Sequence, residues 1–93
     1  MVTMDMINLA KTVMPQVLER LQLDLGHYSG DLAMTQMVVQ DAADQLQVLE
    51  LLADGDSAAA LDKFNWMDTA PREDLYVLLM EAGGAELFEQ EAA

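Results

Sequence analysis

An all-α fold, a small bundle of four or five helices, is the class this sequence predicts. Two long stretches carry apolar residues at three- and four-residue steps, the spacing that lines one side of an α-helix. Gly, Asp and Ser punctuate the chain around those stretches, where helices start and stop. The one run that could serve as a buried strand, Leu75–Met80, has no second convincing strand to pair with.

The first helix is predicted over about Met4–Leu25. Its apolar stripe is Ile7, Ala10, Met14, Val17 with Leu18, Leu21 and Leu25, while Asn8, Thr12, Glu19 and Gln22 take the opposite side. Pro15 sits within that span. It has no amide donor and its ring crowds the carbonyl of Lys11, so a first helix kinked or split at Pro15 is expected. The segment from Gly26 through His27, Tyr28 and Ser29 to Gly30 should end it.

The second helix, about Asp31–Ala53, is predicted to be the spine, capped by Ser29 or Asp31 and closed by Gly55. Met34, Val38, Ala42, Leu46, Leu49 and Ala53 form one stripe, and Met37, Val39, Ala43, Val48 and Leu52 widen it. Gln36, Gln40, Asp44 and Gln47 make the polar side. So wide an apolar face predicts contact with more than one neighbour.

Asp56 or Ser57 should cap a short third helix that runs through Ala58 and Phe64 and ends near Asn65 and Trp66. The stretch Thr69–Asp74 then combines a hydroxyl cap candidate, Pro71 in a first turn and two acids near the positive end of a helix dipole. A fourth helix follows, about Pro71–Ala82, apolar nearly all round and therefore expected to be central or interfacial. Gly83 and Gly84 stop it. Residues 85–93 read as a short amphipathic helix carrying Leu87 and Phe88, or as a frayed acidic tail. With no repeat or Pro/Ser-rich linker, residues 1–93 read as a single helical domain.

Composition narrows the function. The 93 residues hold 17 acids against 4 bases, one His and no Cys, for a net charge of −13. At 53% apolar the chain is too greasy for a disordered acidic tail. It should repel phosphate backbones, and Lys11, Arg20, Lys63 and Arg72 stand singly along it, which argues against direct nucleic-acid binding. Leu75–Met80 is the longest apolar run, far short of the roughly 20 residues a membrane span needs. The first residues carry Asp5 where a secretory signal would be basic, so a cytoplasmic location is expected. Absence of Cys removes disulfides, thiolate metal sites and cysteine nucleophiles together.

Small domains bury only about 60–70% of the surface their unfolded chains expose. The leftover grease here includes Met4, Met6, Met14, Met34, Met37, Met67 and Met80, an adaptable side chain that fills cores and meets partners. Self-association as a homodimer is the simplest outlet, with a tight heteromer as the other.

Individual motifs point away from catalysis. Asp54-Gly55-Asp56-Ser57 alternates carboxylates as a calcium loop does, but Ala58, Ala59 and Asn65 stand where such a loop needs an oxygen ligand, Gly and Glu. Helix stop followed by helix cap explains it better. His27, beside Tyr28, Ser29 and Asp31, lacks the partners of a zinc site or a serine triad and reads as a loop histidine. No Gly-rich phosphate loop with Lys exists. The sequence therefore supplies no catalytic, cofactor-binding or metal residues.

Two resemblances bear on function. Asp56-Ser57 at a helix start, with Phe64 and then Asp68-Thr69-Ala70-Pro71, resembles the Asp-Ser-Leu attachment site of acyl carrier proteins; Ala58 replaces the motif's Leu, and Phe64 follows Ser57 too closely for that family's recognition helix. The resemblance implies a phosphopantetheine arm on Ser57. In size and charge the chain also resembles small acidic inhibitor proteins of bacteriophages, anti-CRISPR proteins and DNA mimics among them. A DNA mimic would want acids in rows spaced like phosphates, whereas Asp41/Asp44, Glu50/Asp54, Asp68, Glu73/Asp74 and Glu86/Glu89/Glu91 are spread over several elements.

The reading that results is a non-enzymatic protein-binding module, an inhibitor or adaptor of phage or bacterial type that blocks a host protein by occupying its surface, with a basic groove on the partner as its complement. Trp66, Met67, Tyr76 and Phe88 are the candidate apolar anchors, and Asp68, Glu73 and Asp74 the candidate carboxylates. A carrier protein modified at Ser57 and a DNA mimic are the alternatives.

Overall fold

The computed structural model describes residues 3–92, with side chains over residues 5–89. Met4 as core filler and Glu91 as part of the acidic tail therefore lie outside the described side chains, as does Ala93 entirely. Five helices follow one another: α1 Thr3–His27, α2 Leu32–Ala53, α3 Ser57–Trp66, α4 Thr69–Glu81 and α5 Ala85–Ala92. Among the described residues there is no strand, and no helix is long and apolar enough to cross a membrane.

Helix α1 is not divided at Pro15; one α-helix runs through it. The bond lost is the one to the Lys11 carbonyl, and Lys11 and Pro15 are both exposed, so water can take that acceptor. Val13 and Val17, fully buried on either side, hold the helix to the core across the defect. The helix ends within the predicted Gly26–Gly30 stop. The chain stays helical to His27 and turns at Gly30, whose φ is +90°.

Asp31, not Ser29, caps α2: its Oδ1 accepts the Met34 amide at 3.1 Å. At the other end Gly55, φ +82°, donates to the Leu52 carbonyl and Asp56 to that of Leu51, both at 3.0 Å. That pair of bonds is the Schellman closure, which requires the left-handed backbone Gly supplies. Asp56 serves twice, because its side chain accepts the Ala59 amide at 3.0 Å and so opens α3. The four residues that mimic a calcium loop are thus fully used in joining two helices.

The fourth helix starts earlier than Pro71. Asp68 is its N-cap residue, without a side-chain cap bond, and Thr69 is helical and not the cap. Pro71 fits the first turn, where no intrahelical donor is needed, and its carbonyl accepts Gln45 Nε2 at 2.9 Å, which ties the start of α4 to α2. Gly83, φ +91°, and Gly84 repeat the Schellman closure on Met80 and Leu79. Residues 85–92 form α5 rather than a frayed tail.

Helices α1 and α2 make a long antiparallel hairpin, and α3, α4 and α5 pack on it near the open end to give a body of 44 × 22 × 20 Å. One core joins them: Met6, Leu9, Ala10, Val13 and Val17 from α1; Ala42, Val48, Leu49 and Leu52 from α2; Ala60, Leu61 and Phe64 from α3; Met67; Leu75 and Leu79 from α4; Leu87 from α5. No polar side chain is buried among the described residues. Burial is confined to the part of the hairpin that carries α3–α5, and from Leu18 to Asp41 no side chain is fully buried.

That arrangement refines two expectations. The α1 residues that enter the core are Met6, Leu9, Ala10, Val13 and Val17; Ala10 and Val17 belong to the predicted stripe, Met14 and Leu21 of it pack against the core half-buried, and Ile7, Leu18 and Leu25 stay half-buried or exposed. Helix α4 is not surrounded either. It buries Pro71, Leu75 and Leu79 on one side and leaves Tyr76, Val77 and Met80 exposed on the other.

Candidate functional site

Charge collects where α4 begins beside α2. Asp41 and Asp44 lie one turn apart on α2, and Asp68 and Asp74 approach from the start of α4. Partial burial, then the nearby charges of Asp68, Asp44 and Asp74, push the Asp41 carboxyl above its ordinary range. Asp44 is steadied from two directions: Lys63 Nζ of α3 and Gln40 Nε2 each stand 3.2 Å from its Oδ1.

Trp66 rises at the edge of this corner. It is the last residue of α3, one turn past Lys63 and two positions before Asp68, and 83% of its surface is open to solvent. An indole left in water costs free energy that burial against a partner returns, and large aromatics dominate interface energetics. Arg72 Nη1 donates to the Asn65 carbonyl at 3.4 Å, spanning the bend between α3 and α4.

The other anchors predicted from sequence separate into different environments. Met67 is 6% exposed and belongs to the core. Phe88 is half-buried, its ring centroid 5.2 Å from that of Phe64 and 4.8 Å from that of Tyr76, so it links the core to the surface of α4. Tyr76 keeps part of its ring in solvent beside Val77 and Met80. Glu73 and Asp74 are exposed on α4. The structure thus brings Asp68 and Asp74 within electrostatic reach of Asp41, leaves Trp66 exposed at the end of α3, sets Tyr76 against Phe88 in a tilted ring contact, and withdraws Met67 from the surface.

Comparison with protein-family models, curated proteins and solved structures found no match to this chain.

Other features offer little to chemistry. His27 is the exposed last residue of α1, helical and not in a loop, and packs edge-on against Tyr28 with centroids 4.7 Å apart. Among the described residues no three acids or His come together as a metal site. An open groove of about 300 Å³ lies between α1 and the α4–α5 turn, lined by Asp5, Asn8, Leu9, Thr12, Ala82, Gly83 and Glu86. Its one hydroxyl, on Thr12, donates to the Asn8 carbonyl at 2.9 Å. Ser57 is the half-buried first residue of α3.

Asp41 and Asp44 are the site residues that sequence reasoning left out of the candidate set. Their three-residue spacing puts them on one face of α2, but only the tertiary approach of Asp68 and Asp74 turns that pair into a charged corner.

Proposed function

We propose that this chain is a non-enzymatic protein-binding module that acts as an inhibitor or adaptor by covering a partner's surface. The observation that carries the reading is the crowding of negative charge where α4 begins beside α2, felt at Asp41 from Asp68, Asp44 and Asp74, with Trp66, two positions before Asp68, left 83% open. Crowded like charge and an unburied aromatic are both unfavourable in the isolated molecule, and one basic, partly apolar surface relieves both. Trp66 would insert as the anchor. Asp68 and Asp74, with Asp41 behind them, would meet Arg or Lys of the partner, and opposite potentials would speed the encounter.

A cytoplasmic setting in a bacterial or host cell belongs to the same reading. A chain without Cys needs no oxidising compartment, and its net charge of −13 suits a protein that competes for basic surfaces. The small acidic inhibitors of phages offer the nearest functional analogy, by charge and size alone. Ser57 at the head of α3 sustains the carrier alternative, since a helix start is where that family bears its modified serine.

Affinity capture from a bacterial lysate, run in parallel with Trp66→Ala and with Asp68→Asn/Asp74→Asn, tests the proposal. Proteins retained by the parent chain should be lost by both variants and should elute as salt shortens electrostatic reach to about 8 Å at physiological ionic strength. Partners held equally by parent and variants would move the site elsewhere. A phosphopantetheine adduct on Ser57 in the intact mass would replace this reading with the carrier one.

A further inference from the structure

The hairpin has two sides, and toward its open end one of them is covered. Helices α3–α5 occupy the side of α2 that bears Asp44, Gln45, Val48 and Leu52, as the Lys63–Asp44 and Gln45–Pro71 bonds show. At about 100° of rotation per residue, Ile7, Met14, Leu18, Leu21 and Leu25 of α1 fall within an arc of about 60°. By the same rotation Leu32, Gln36, Val39, Ala43, Leu46 and Glu50 of α2 fall within an arc of about 80°. In an antiparallel pair both arcs flank the α1–α2 seam on the side away from α3–α5. Exposure agrees with this: Leu18 is 48% open, Val39 46% and Leu32 72%, Ile7 and Leu25 are half-buried, and Met14, Leu21 and Leu46, which pack against the core from this side, are half-buried too.

We propose that this bare face is where a second copy of the chain docks, hairpin against hairpin about a two-fold axis, to form a layer of four helices. Charge selects the occupant. In a molecule of net charge −13 these eleven positions hold one ionisable residue, Glu50, and Lys11, of opposite sign, borders the α1 arc; both sit toward the open end and leave the face without net charge. A chain with 4 bases cannot answer its own 17 acids across an interface, so the surface that meets a copy of itself has to be nearly free of net charge. A basic partner would gain nothing here and would go to the acidic corner.

Size and side-chain type fit the same occupant. From Ile7 to Leu25 the face is about 27 Å long and two helix diameters, about 20 Å, across. That projects to on the order of 500 Å² per copy, which surface corrugation brings toward the roughly 800 Å² each partner of a standard specific interface buries. A two-fold interface is self-complementary, and unbranched Met14 beside Leu and Val can interdigitate with its own image.

Sedimentation equilibrium of the full chain from about 1 to 100 μM tests the inference. The parent should approach twice its 10.2 kDa mass. Its dimer should tighten as NaCl is raised, since screening removes repulsion between two like-charged bodies. Leu18→Glu/Val39→Glu should weaken dimerisation at least about 100-fold while Trp66→Glu leaves it unchanged. Should the double variant unfold, the cysteine-free background provides a milder probe: Leu18→Cys or Val39→Cys should form an intermolecular disulfide under oxidation much faster than Trp66→Cys. A parent that stays monomeric at 100 μM, a dimer that loosens with salt, or cross-linking fastest through Trp66→Cys would each overturn the proposal. None of these results depends on the partner proposed for the acidic corner.

Discussion

Gly84 lies so close to Leu9 that a Cβ built on it would stand 2.9 Å from Leu9 Cδ2 and 2.8 Å from the Leu79 carbonyl oxygen. The second of those atoms is backbone and cannot swing aside. Gly84 is therefore the contact that lets the end of α4 close against α1, and Gly84→Ala should destabilise the fold by about 1–3 kcal/mol, the usual cost of overpacking. Gly26 is the contrast, helical with nothing within 4 Å of its Cβ position. Gly26→Ala should stabilise by about 0.5–1 kcal/mol through helix propensity. Urea denaturation of both variants, monitored by far-UV circular dichroism, gives the opposite signs directly.

Asp56 closes α2 with its backbone and opens α3 with its carboxylate. Asp56→Ala keeps the first function and loses the second, so it should cost about 1 kcal/mol. Asp56→Ser, which can still accept the Ala59 amide, should recover most of that loss. Equal destabilisation by the two substitutions in denaturant melts would mean that the cap bond contributes nothing.

Much of the fold was legible because its joints are chemically explicit. Gly55 with Asp56, Gly83 with Gly84, and Asp31 before Leu32 each announce a boundary through backbone requirements that few residues meet. Which apolar stripe of α1 would be buried was not legible. Ile7–Leu25 and Met6–Val17 interleave on adjoining helical faces, and only the position of the α3–α5 layer decides between them. Trp66 and Met67 show the same limit at single-residue scale: adjacent in sequence, they point to solvent and to core because α3 ends between them. Pro15 does not split α1 for a related reason, since a missing hydrogen bond breaks a helix only where nothing else holds it. The acidic corner was half visible, as Asp68 and Asp74 were, while Asp41 and Asp44 became part of it through folding.

Lys63 is the cation held against that corner, 3.2 Å from Asp44 with both side chains less than a third exposed. Lys63→Met keeps the aliphatic stem and removes the charge, leaving Asp44 to the Gln40 amide. The expected loss is about 1 kcal/mol, the range of a single ion pair that is partly shielded from solvent. A double-mutant cycle with Asp44→Asn should return a coupling of similar size, and a coupling near zero would show that the contact is geometric only.

Asp41 should reveal the crowding through pH. Its folded pKa is raised, first by burial and then by Asp68, Asp44 and Asp74, so between the ordinary carboxylate value and the folded value the native state binds more protons than the unfolded chain. Stability from this group is then greatest below the ordinary value and is lost as pH climbs through the folded value, leaving its full penalty at neutrality. Asp41→Asn removes the titration while conserving shape. At pH 7 it should raise stability by about 0.5 kcal/mol, the scale of a partly exposed charge interaction, and the gain should shrink toward zero as pH falls below the usual carboxylate range. Denaturation midpoints for parent and variant across pH 3–8 measure the difference curve. A difference that is flat with pH, or that grows on acidification, would mean that Asp41 is not strained by its neighbours and that the corner has no unfavourable charge for a partner to relieve.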